Sequence, residues 1–232
     1  MGSIFVKNVN HVLDKLFSVN VIRTRVKAPL PYQLNDWTGK RLLYFYDLLN
    51  RTNSLKGDIV ECGVGWGNSL VCITISHQVI QSTKKIWAFD SFSGLPEPSK
   101  EDEPMRPEVK IEKGDLAYTE AYVKARLKKA SVPAELISDI EFIPGYFDKT
   151  LTQFPADRKV AFLHLDVDLY DSYITTLEFF YSRLVPGGII ALDEYNDKKW
   201  VGCTKAVDHF LTDKPERVEK SPFLNKYFIV KQ

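Results

Sequence analysis

Short apolar segments alternate with helix-like segments along most of the chain. The apolar segments lie at residues 59–62, 85–90, 140–143, 160–166 and 189–193. Between them, apolar residues recur at helical spacing over residues 68–81, 118–129, 172–184 and 204–211. Near-continuous apolar strands that alternate with helices predict a mostly parallel sheet covered by helices on both faces, an α/β, Rossmann-like fold.

The two ends of the chain depart from this alternation. Residues 217–220 and 225–230 are extended and predict an antiparallel C-terminal hairpin, which completes a seven-stranded sheet. Residues 9–21 and 40–50 have apolar residues three to four apart and predict amphipathic helices. We therefore predict an N-terminal helical extension over residues 1–52, which contributes to an acceptor site, and an α/β domain over residues 53–232.

Two connections stand out in the predicted domain. The segment 91–115 is polar and rich in proline and charge, and it is too long for a simple connection, so it is either functional or disordered. Pro186-Gly187-Gly188 is predicted to stop the helix 172–184. A basic stretch at 23–27 is either a solvated turn or a contact for an anionic substrate.

Composition narrows the class of protein. The chain has 232 residues, 44% of them hydrophobic and 26% charged, as in a globular protein, and its net charge of +1 gives no general attraction for nucleic acid. Cys62, Cys72 and Cys203 lack metal-ligand spacing, and they are expected to be reduced core residues. No signal peptide or membrane-length apolar run is evident, so we expect a cytoplasmic protein without a membrane partner.

The stretch from Asp58 to Ser69 carries the strongest functional signal. A short apolar strand ends near Glu61, three alternating glycines follow, and a helix begins at Asn68. Glycines allow positive φ and close approach of a ligand, and a helix N-terminus offers free N–H groups. The spacing lacks the extra residue of a dinucleotide fingerprint, which favours S-adenosylmethionine (SAM) over NAD. The predicted SAM contacts here are Glu61, Gly63, Gly65, Gly67, Asn68 and Ser69.

Further cofactor contacts are predicted at the next two strand ends. Asp90 ends the second strand, where an acid can accept hydrogen bonds from both ribose hydroxyls of a nucleoside, and Ser91 follows it. Gly145 and Phe147 follow the third strand, where an aromatic ring can stack on a base. A turn that is merely anchored by aromatic residues explains the latter pair equally well.

A second group of acids follows the fourth and fifth strands. Asp166 ends one strand, and Asp193 and Glu194 end the next, so neighbouring strands would bring the three carboxylates together. Clustered carboxylates repel one another unless a cation compensates. Oxygen ligands suit Mg²⁺, Mn²⁺ or Ca²⁺, so we predict a divalent metal at Asp166, Asp193 and Glu194. Helix caps or salt bridges are the alternative roles for these acids.

Candidate bases lie in the same region. Asp166 is the first candidate for the general base, and His164, on the same strand face, is the second, although a core histidine is the more common role for such a residue. Asp168 takes the base or metal role if the strand register differs by two residues.

Five blocks resemble the macrocin O-methyltransferase family, SAM-dependent enzymes that methylate sugar hydroxyls of natural products. The blocks are Val60-Glu-Cys-Gly-Val-Gly-Trp-Gly67, Phe89-Asp-Ser-Phe-Ser-Gly-Leu-Pro96, Gly145-Tyr-Phe-Asp-Lys-Thr-Leu151, His164-Leu-Asp-Val-Asp-Leu-Tyr-Asp-Ser172 and Pro186-Gly-Gly-Ile-Ile-Ala-Leu-Asp-Glu-Tyr195. The resemblance runs from about Gly57 to the C-terminus. It implies a class I methyltransferase fold, SAM as methyl donor and usually Mg²⁺, with frequent self-association.

The resemblance also implies roles for single residues. Glu61 and Gly63 would meet the methionine end of SAM, Asp90 the ribose, and Asp166, Asp193 and Glu194 the metal. The family usually has Asp-Asp-Tyr where this chain has Asp193-Glu194-Tyr195, so one ligand is a methylene longer.

The expected activity is methyl transfer to a hydroxyl of a small sugar-containing acceptor. Three alternatives stay open at this stage: a non-catalytic SAM- or nucleotide-binding module, an O-methyltransferase for a non-sugar vicinal diol such as a catechol, and an NAD-dependent dehydrogenase or epimerase. A nucleic-acid methyltransferase is disfavoured by the charge balance.

Overall fold

A computed structural model gives the structure of the protein and describes residues 35–103 and 111–232. These residues form one compact unit. The predicted helix over 9–21 and the basic stretch at 23–27 lie outside the described residues. Within the described ranges, no helix is long and apolar enough to span a membrane.

The centre of the molecule is a seven-stranded sheet with the strand order β3-β2-β1-β4-β5-β7-β6. Strands β1 to β5 are parallel, and β7 pairs antiparallel with both β5 and β6. The sheet and its C-terminal hairpin therefore confirm the predicted architecture. The strands are β1 (Asp58–Cys62), β2 (Ile86–Asp90), β3 (Glu141–Pro144), β4 (Val160–Leu165), β5 (Leu184–Leu192), β6 (Val218–Lys220) and β7 (Tyr227–Val230).

Helices cover both faces of the sheet. They are α1 (Asp36–Thr52), α2 (Asn68–Val79), α3 (Glu120–Lys129), α4 (Ala134–Asp139), α5 (Phe147–Thr150), α6 (Tyr170–Tyr181) and α7 (Val201–Leu211), with short 3₁₀ turns at Lys100–Asp102 and Leu151–Gln153. Helix α1 begins with a capping box, in which the Asn35 side chain accepts from Thr38 N–H. Residues 1–52 were predicted to form an extension. Helix α1, which lies within this segment, packs on the sheet, where Phe45 contacts Phe162 and His164.

Alternation along β4 and β5 gives each face its own helix. Phe162 and His164 point towards α1, whereas Leu163 and Leu165 belong to the apolar cluster that packs against α6. On β5, Ile190 and Leu192 belong to that same cluster. Continuing the alternation past the strand ends directs Asp166 and Asp193 towards α1, and Glu194 towards α6.

Some details of the predicted elements were wrong. Helix α6 ends at Tyr181, and Leu184 to Gly188 form the first half of β5 instead of a helix end and a stop. Gly188 fits at this position because it has no Cβ. A Cβ there would lie 2.8 Å from the carbonyl oxygen of Val185. The short helix α4 was not predicted, since only one of its six residues, Ile137, is buried and it shows no apolar stripe.

Candidate functional site

A cavity of about 680 Å³ lies over the carboxyl ends of the parallel strands. This is where ligands bind in open α/β sheets. The predicted site residues that line it are Gly63, Gly65, Asn68, Ser69, Asp90, Ser91, Gly145, Phe147, Asp166, Asp193 and Glu194, together with Asp168. Glu61, Gly67 and His164 do not line it.

The glycine turn is shaped by a close approach of two backbones. Gly63 has φ +80°, and a Cβ built on it would lie 1.8 Å from the carbonyl oxygen of Asp166. Only glycine fits there, so the turn after β1 and the loop after β4 lie against each other. At Gly65, φ is +51° and nothing lies within 4 Å of a Cβ position, which leaves open space on the cavity side.

Asp90 holds the glycine turn from the end of β2. Its Oδ2 accepts hydrogen bonds from the N–H groups of Val64 and Gly65 at 2.7 and 2.9 Å, and its Oδ1 accepts from Phe92 N–H at 2.6 Å. The acid predicted to contact a ribose therefore also shapes the neighbouring loop, while still lining the cavity.

Glu61 and His164 form a fully buried pair beneath the cavity. Their side chains are on adjacent strands in register, and Glu61 Oε1 lies 3.1 Å from His164 Nδ1. Burial raises the pKa of Glu61 to about 7, although the bond to His164 opposes the shift. Burial alone would lower the pKa of His164, but Asp193 and Glu61 outweigh it and raise that pKa to about 9. His164 thus lies among carboxylates, away from the cavity surface.

The acids of β4 and β5 meet in two overlapping groups. Ligand atoms of Asp166, Asp168 and Glu194 all lie within 4.8 Å of one another, and so do those of His164, Asp166 and Asp193. Asp166 belongs to both groups. The predicted trio of Asp166, Asp193 and Glu194 is not a single group among the described residues, because Asp166 shares one group with Asp193 and the other with Glu194. Asp168 is an additional member, and we call Asp166, Asp168, Asp193 and Glu194 the acid cluster.

Asp193 is surrounded by positive charge. Lys226 Nζ lies 2.6 Å from its Oδ2, and Arg41 Nη2 lies 3.0 Å from its Oδ1. Burial would raise the pKa of Asp193, but Arg41, His164 and Lys226 hold it well below its usual range. Its buried Oδ1 nevertheless accepts no hydrogen bond from the described residues. An ionised carboxylate can bind a cation, although here both of its oxygens already face positively charged side chains.

Arg41 was missed by the sequence analysis. It is 5% exposed, its Nη2 donates to Ser69 Oγ at 2.5 Å, and it lies 3.5 Å from Asp166 Oδ2. A signal existed, because Arg41 occupies the buried stripe of α1 with Tyr44, Phe45 and Leu48. A charge inside an apolar stripe indicates a buried partner of opposite sign.

Lys226 was also missed, and no local pattern marks it. It becomes a neighbour of Asp193 because Leu192 on β5 pairs with Tyr227 on β7. The contact could be predicted only if the strand that β7 pairs with were known, and the sequence does not specify that strand.

Two acids of the cluster, Asp168 and Glu194, favour the neutral form because their pKa values are raised. Burial, followed by the charges of Asp166 and Asp193, raises the pKa of Asp168 and that of Glu194 well above the ordinary values. Asp168 also has φ +59°, a backbone conformation that aspartate tolerates better than most residues. Without a bound cation the cluster therefore carries less negative charge than its four acids suggest.

Aromatic rings form much of the remaining wall of the cavity. Besides Phe147, the lining includes Trp37, Trp66, Tyr118, Tyr146 and Trp200, none of which the sequence analysis selected. Trp66 and Tyr118 pack with ring centroids 6.2 Å apart, and the guanidinium of Arg41 lies 5.2 Å from the centroid of Trp37. Such walls suit a flat base or the apolar face of a sugar ring.

The strand order, the glycine turn and the cavity at the strand ends define the fold of class I SAM-dependent methyltransferases. The chain belongs to the macrocin-O-methyltransferase (TylF) family, which it matches over residues 36–220. The family resemblance read from the five sequence blocks is thereby confirmed.

Three similar proteins illustrate this membership. The 8-demethyl-8-(2,3-dimethoxy-alpha-L-rhamnosyl)-tetracenomycin-C 4'-O-methyltransferase of Streptomyces olivaceus is 32% identical over 62% of this chain and 54% of its own length. Mycinamicin III 3''-O-methyltransferase of Micromonospora griseorubida is 31% identical over 62% of this chain and 57% of its own length. The structure of the O-methyltransferase NovP matches 83% of this chain and 80% of that chain with 27% identity and a TM-score of 0.67. The chain thus spans little more than half the length of the curated relatives it matches.

Proposed function

We propose that the protein is a SAM-dependent, divalent-metal-assisted O-methyltransferase that acts on a hydroxyl of a sugar or sugar-containing metabolite. The observation that carries this proposal is the convergence of the glycine turn, Asp90 and the acid cluster on one cavity. A donor site and a metal-assisted acceptor site would then be neighbours over β1 and β4. A mere SAM-binding module has no use for such a cluster.

The SAM half of the cavity is assigned to the β1–β2–β3 side. Gly63, Gly65, Asn68 and Ser69 would bound the methionine part, since the open side of Gly65 and the start of α2 offer room and N–H groups. Asp90 and Ser91 would meet the ribose, and Gly145 and Phe147 the adenine. Glu61 and Gly67, which are set back from the cavity, would support this half from beneath.

The donor set of the acid cluster fits a hard divalent cation. All candidate ligands on the cavity side are carboxylate oxygens, the ligand type that a hard divalent cation prefers. We assign Asp166, Asp193 and Glu194 as ligands, with Mg²⁺ as the expected ion. The paired charges of Arg41 and Lys226 keep Asp193 ionised, which a ligand requires.

When bound, SAM supplies a methyl group on a positively charged sulfur, and the cation lowers the pKa of a hydroxyl that it binds. The chain then has to hold the acceptor oxygen in line with that methyl group, and such positioning can contribute roughly 7–11 kcal/mol. Because Asp166 belongs to both groups of possible ligands, it would be held by the cation. The charges that favour the neutral form of Asp168 would be compensated by a bound cation. Asp168, which lines the cavity beside Asp166, would then be ionised and would accept the hydroxyl proton. His164, behind the cavity wall, would orient Asp193.

The acceptor class is proposed from the relatives. One is named for O-methylation of a rhamnosyl tetracenomycin and another for mycinamicin III. A glycosylated metabolite of this kind would lie over β4 and β5, between the acid cluster and the rings of Trp37 and Trp200. The acceptor is therefore expected to be a small molecule with adjacent oxygen atoms that can reach the cation.

A transfer assay with labelled methyl-SAM tests this proposal. The acceptors are a rhamnosylated tetracenomycin, mycinamicin III and, as a non-sugar diol, catechol, each with Mg²⁺ or with EDTA. We expect transfer to a glycoside that stops with EDTA and returns with Mg²⁺. Transfer that persists after full metal removal would refute the metal role. Transfer to catechol alone would refute the sugar class, and absence of SAM binding in calorimetry would refute the whole proposal.

Two variants separate the roles of neighbouring acids. Asp166→Asn is expected to abolish both Mn²⁺ binding and transfer, because a ligand is lost. Asp168→Asn is expected to keep Mn²⁺ binding and to lower turnover by a factor of about 10²–10⁴, the usual contribution of a general base. Equal loss of Mn²⁺ binding in both variants would make Asp168 a ligand instead.

A further inference from the structure

Glu194 is held from below by a buried tyrosine. The hydroxyl of Tyr173, on α6, lies 2.5 Å from Glu194 Oε2 and 3.0 Å from the carbonyl oxygen of Leu165. Tyr173 is 0% exposed and Glu194 is 3% exposed. Tyr173 does not line the cavity, so it would act on a ligand only through Glu194.

The contact follows from the strand alternation at the end of β5. Asp193 points to the face covered by α1, where Arg41 meets it, and Glu194 points to the face covered by α6, where Tyr173 meets it. Leu165, the second acceptor near the Tyr173 hydroxyl, immediately precedes Asp166. The hydroxyl therefore lies between the ends of the two strands that carry the acid cluster.

The Tyr173 hydroxyl can donate a hydrogen bond to only one of its two neighbouring oxygen atoms. A tyrosine hydroxyl has a single hydrogen, and the shorter distance directs it to Glu194 Oε2. This leaves the other oxygen of Glu194 for the group that it forms with Asp166 and Asp168. A glutamate has more side-chain freedom than an aspartate, so a fixed second oxygen removes rotamers in which the carboxylate leaves the cluster.

We propose that Tyr173 is a positioning residue that directs Glu194 towards Asp166 and thereby sets the affinity of the acid cluster for a divalent cation. This inference rests on the proposed metal role of the cluster. The inference is specific to a glutamate at position 194. Its side chain is long enough to reach Tyr173, whereas an aspartate would be one methylene shorter. Partners of this kind behind metal ligands typically change metal affinity by 10- to 100-fold.

The test is Mn²⁺ binding to the full chain, without SAM or acceptor, measured from the electron paramagnetic resonance signal of free Mn²⁺. Tyr173→Phe keeps the ring and removes only the hydroxyl, and we expect its Mn²⁺ dissociation constant to rise about 10- to 100-fold. Unchanged affinity in Tyr173→Phe alongside normal wild-type binding would overturn the inference and leave the proposed function intact. A wild-type chain that binds no Mn²⁺ would overturn both.

Tyr181→Phe is the matched control. Tyr181 is on the same helix, about 12 Å along its axis from Tyr173, and its hydroxyl also donates to a glutamate, Glu216 Oε2, at 2.8 Å. Removal of this bond is expected to leave Mn²⁺ affinity within twofold of wild type, about the resolution of such a titration. If Tyr181→Phe weakens Mn²⁺ binding as much as Tyr173→Phe, the effect is general loosening of α6 and the inference is wrong.

A double-mutant cycle with Glu194→Asp separates positioning from packing. The shorter acid cannot both reach Tyr173 and join the cluster, so Tyr173→Phe is expected to change Mn²⁺ affinity less than about twofold in the Glu194→Asp background. If the two substitutions act independently, with Tyr173→Phe costing the same fold-change in both backgrounds, Tyr173 does not work through Glu194. Thermal unfolding of each variant reports separately on any loss of stability.

Discussion

At the scale of single residues, buried charges are arranged in opposed pairs rather than isolated. His164 lies between two carboxylates: its Nδ1 is 3.1 Å from Glu61 Oε1, and its Nε2 is 3.8 Å from Asp193 Oδ1. Arg41 likewise lies between Asp166 and Asp193. Burial alone would neutralise such groups. Their mutual pairing instead keeps Asp193 and Arg41 charged, and it links the stability of the fold to pH.

The Glu61–His164 pair predicts a fall in stability as pH rises. His164 has a folded-state pKa of about 9 against an ordinary 6.5, so its stabilising protonation is complete below about pH 6.5 and is lost towards pH 9. Glu61, with a pKa of about 7 against 4.5, adds a fall of the same sign at lower pH. The free energy of unfolding, measured in urea, is therefore expected to decrease from acid to alkaline pH.

The double variant Glu61→Gln/His164→Gln replaces the pair by two amides and should reduce this slope, leaving the part that Asp168 and Glu194 contribute through their raised pKa values. His209→Gln, at an exposed position, should keep the wild-type slope. A slope in the double variant equal to that of wild type would show that other groups control the pH dependence.

The glycine turn gives a prediction about backbone space. Gly63→Ala puts a Cβ against the Asp166 carbonyl and should cost about 2–4 kcal/mol of unfolding free energy, because two fixed backbones have to separate. Gly65→Ala meets only open space and should cost about 1 kcal/mol, the penalty of a left-handed backbone. In calorimetry, folded Gly65→Ala should bind SAM more weakly, since its methyl group occupies cavity space. Equal loss of stability in the two variants would contradict the close approach.

The residues of the site were predictable to different degrees. Acids that end apolar strands, such as Asp90, Asp166 and Asp193, could be found because parallel strands bring their carboxyl ends to one edge of the sheet. The contacts that hold these acids could not. Lys226 depends on the pairing of β7, and Tyr173 depends on which face of α6 is buried against β4 and β5.

At the scale of elements, the long segment after β2 is attached to the helices behind the acid cluster. Asp102, 2% exposed, accepts hydrogen bonds from Ser99 N–H and from Tyr170 N–H at the start of α6, both at 2.8 Å. Lys205, on α7, donates to the backbone carbonyl groups of Glu101 and Glu103. The sequence predicted only a long polar loop here, because an acid that caps a distant helix has no local signature.

Asp102→Ala is expected to loosen this attachment. Loss of the acceptor for Tyr170 N–H should cost about 1–2 kcal/mol of unfolding free energy, in the range of a lost helix cap. Amide hydrogen exchange should accelerate in peptides that cover residues 95–103 and 169–173. Glu103→Ala, which removes a side chain but keeps the carbonyl that Lys205 contacts, serves as the control. Unchanged exchange at the start of α6 in Asp102→Ala would contradict this account.

At the scale of the whole molecule, the two proposed half-sites share one cavity at the edge of the sheet. The β1–β2–β3 side carries the glycine turn and Asp90, and the β4–β5 side carries the acid cluster, with β1 and β4 adjacent. The alternation of strands and helices was sufficient to predict this architecture. The packing of α1 on the sheet was harder to predict. The apolar spacing before Gly57 predicts a helix with one buried face, but it does not specify which face of the sheet that helix covers.

The adjacency of the two half-sites is the central claim, and proton relaxation of bound S-adenosylhomocysteine in the presence of Mn²⁺ tests it most directly. The paramagnetic effect falls steeply with distance, so the methylene protons beside the sulfur should relax much faster than the adenine protons. Asp166→Asn should remove this enhancement while S-adenosylhomocysteine still binds. Bound S-adenosylhomocysteine whose sulfur-side protons are unaffected by bound Mn²⁺ would contradict the account.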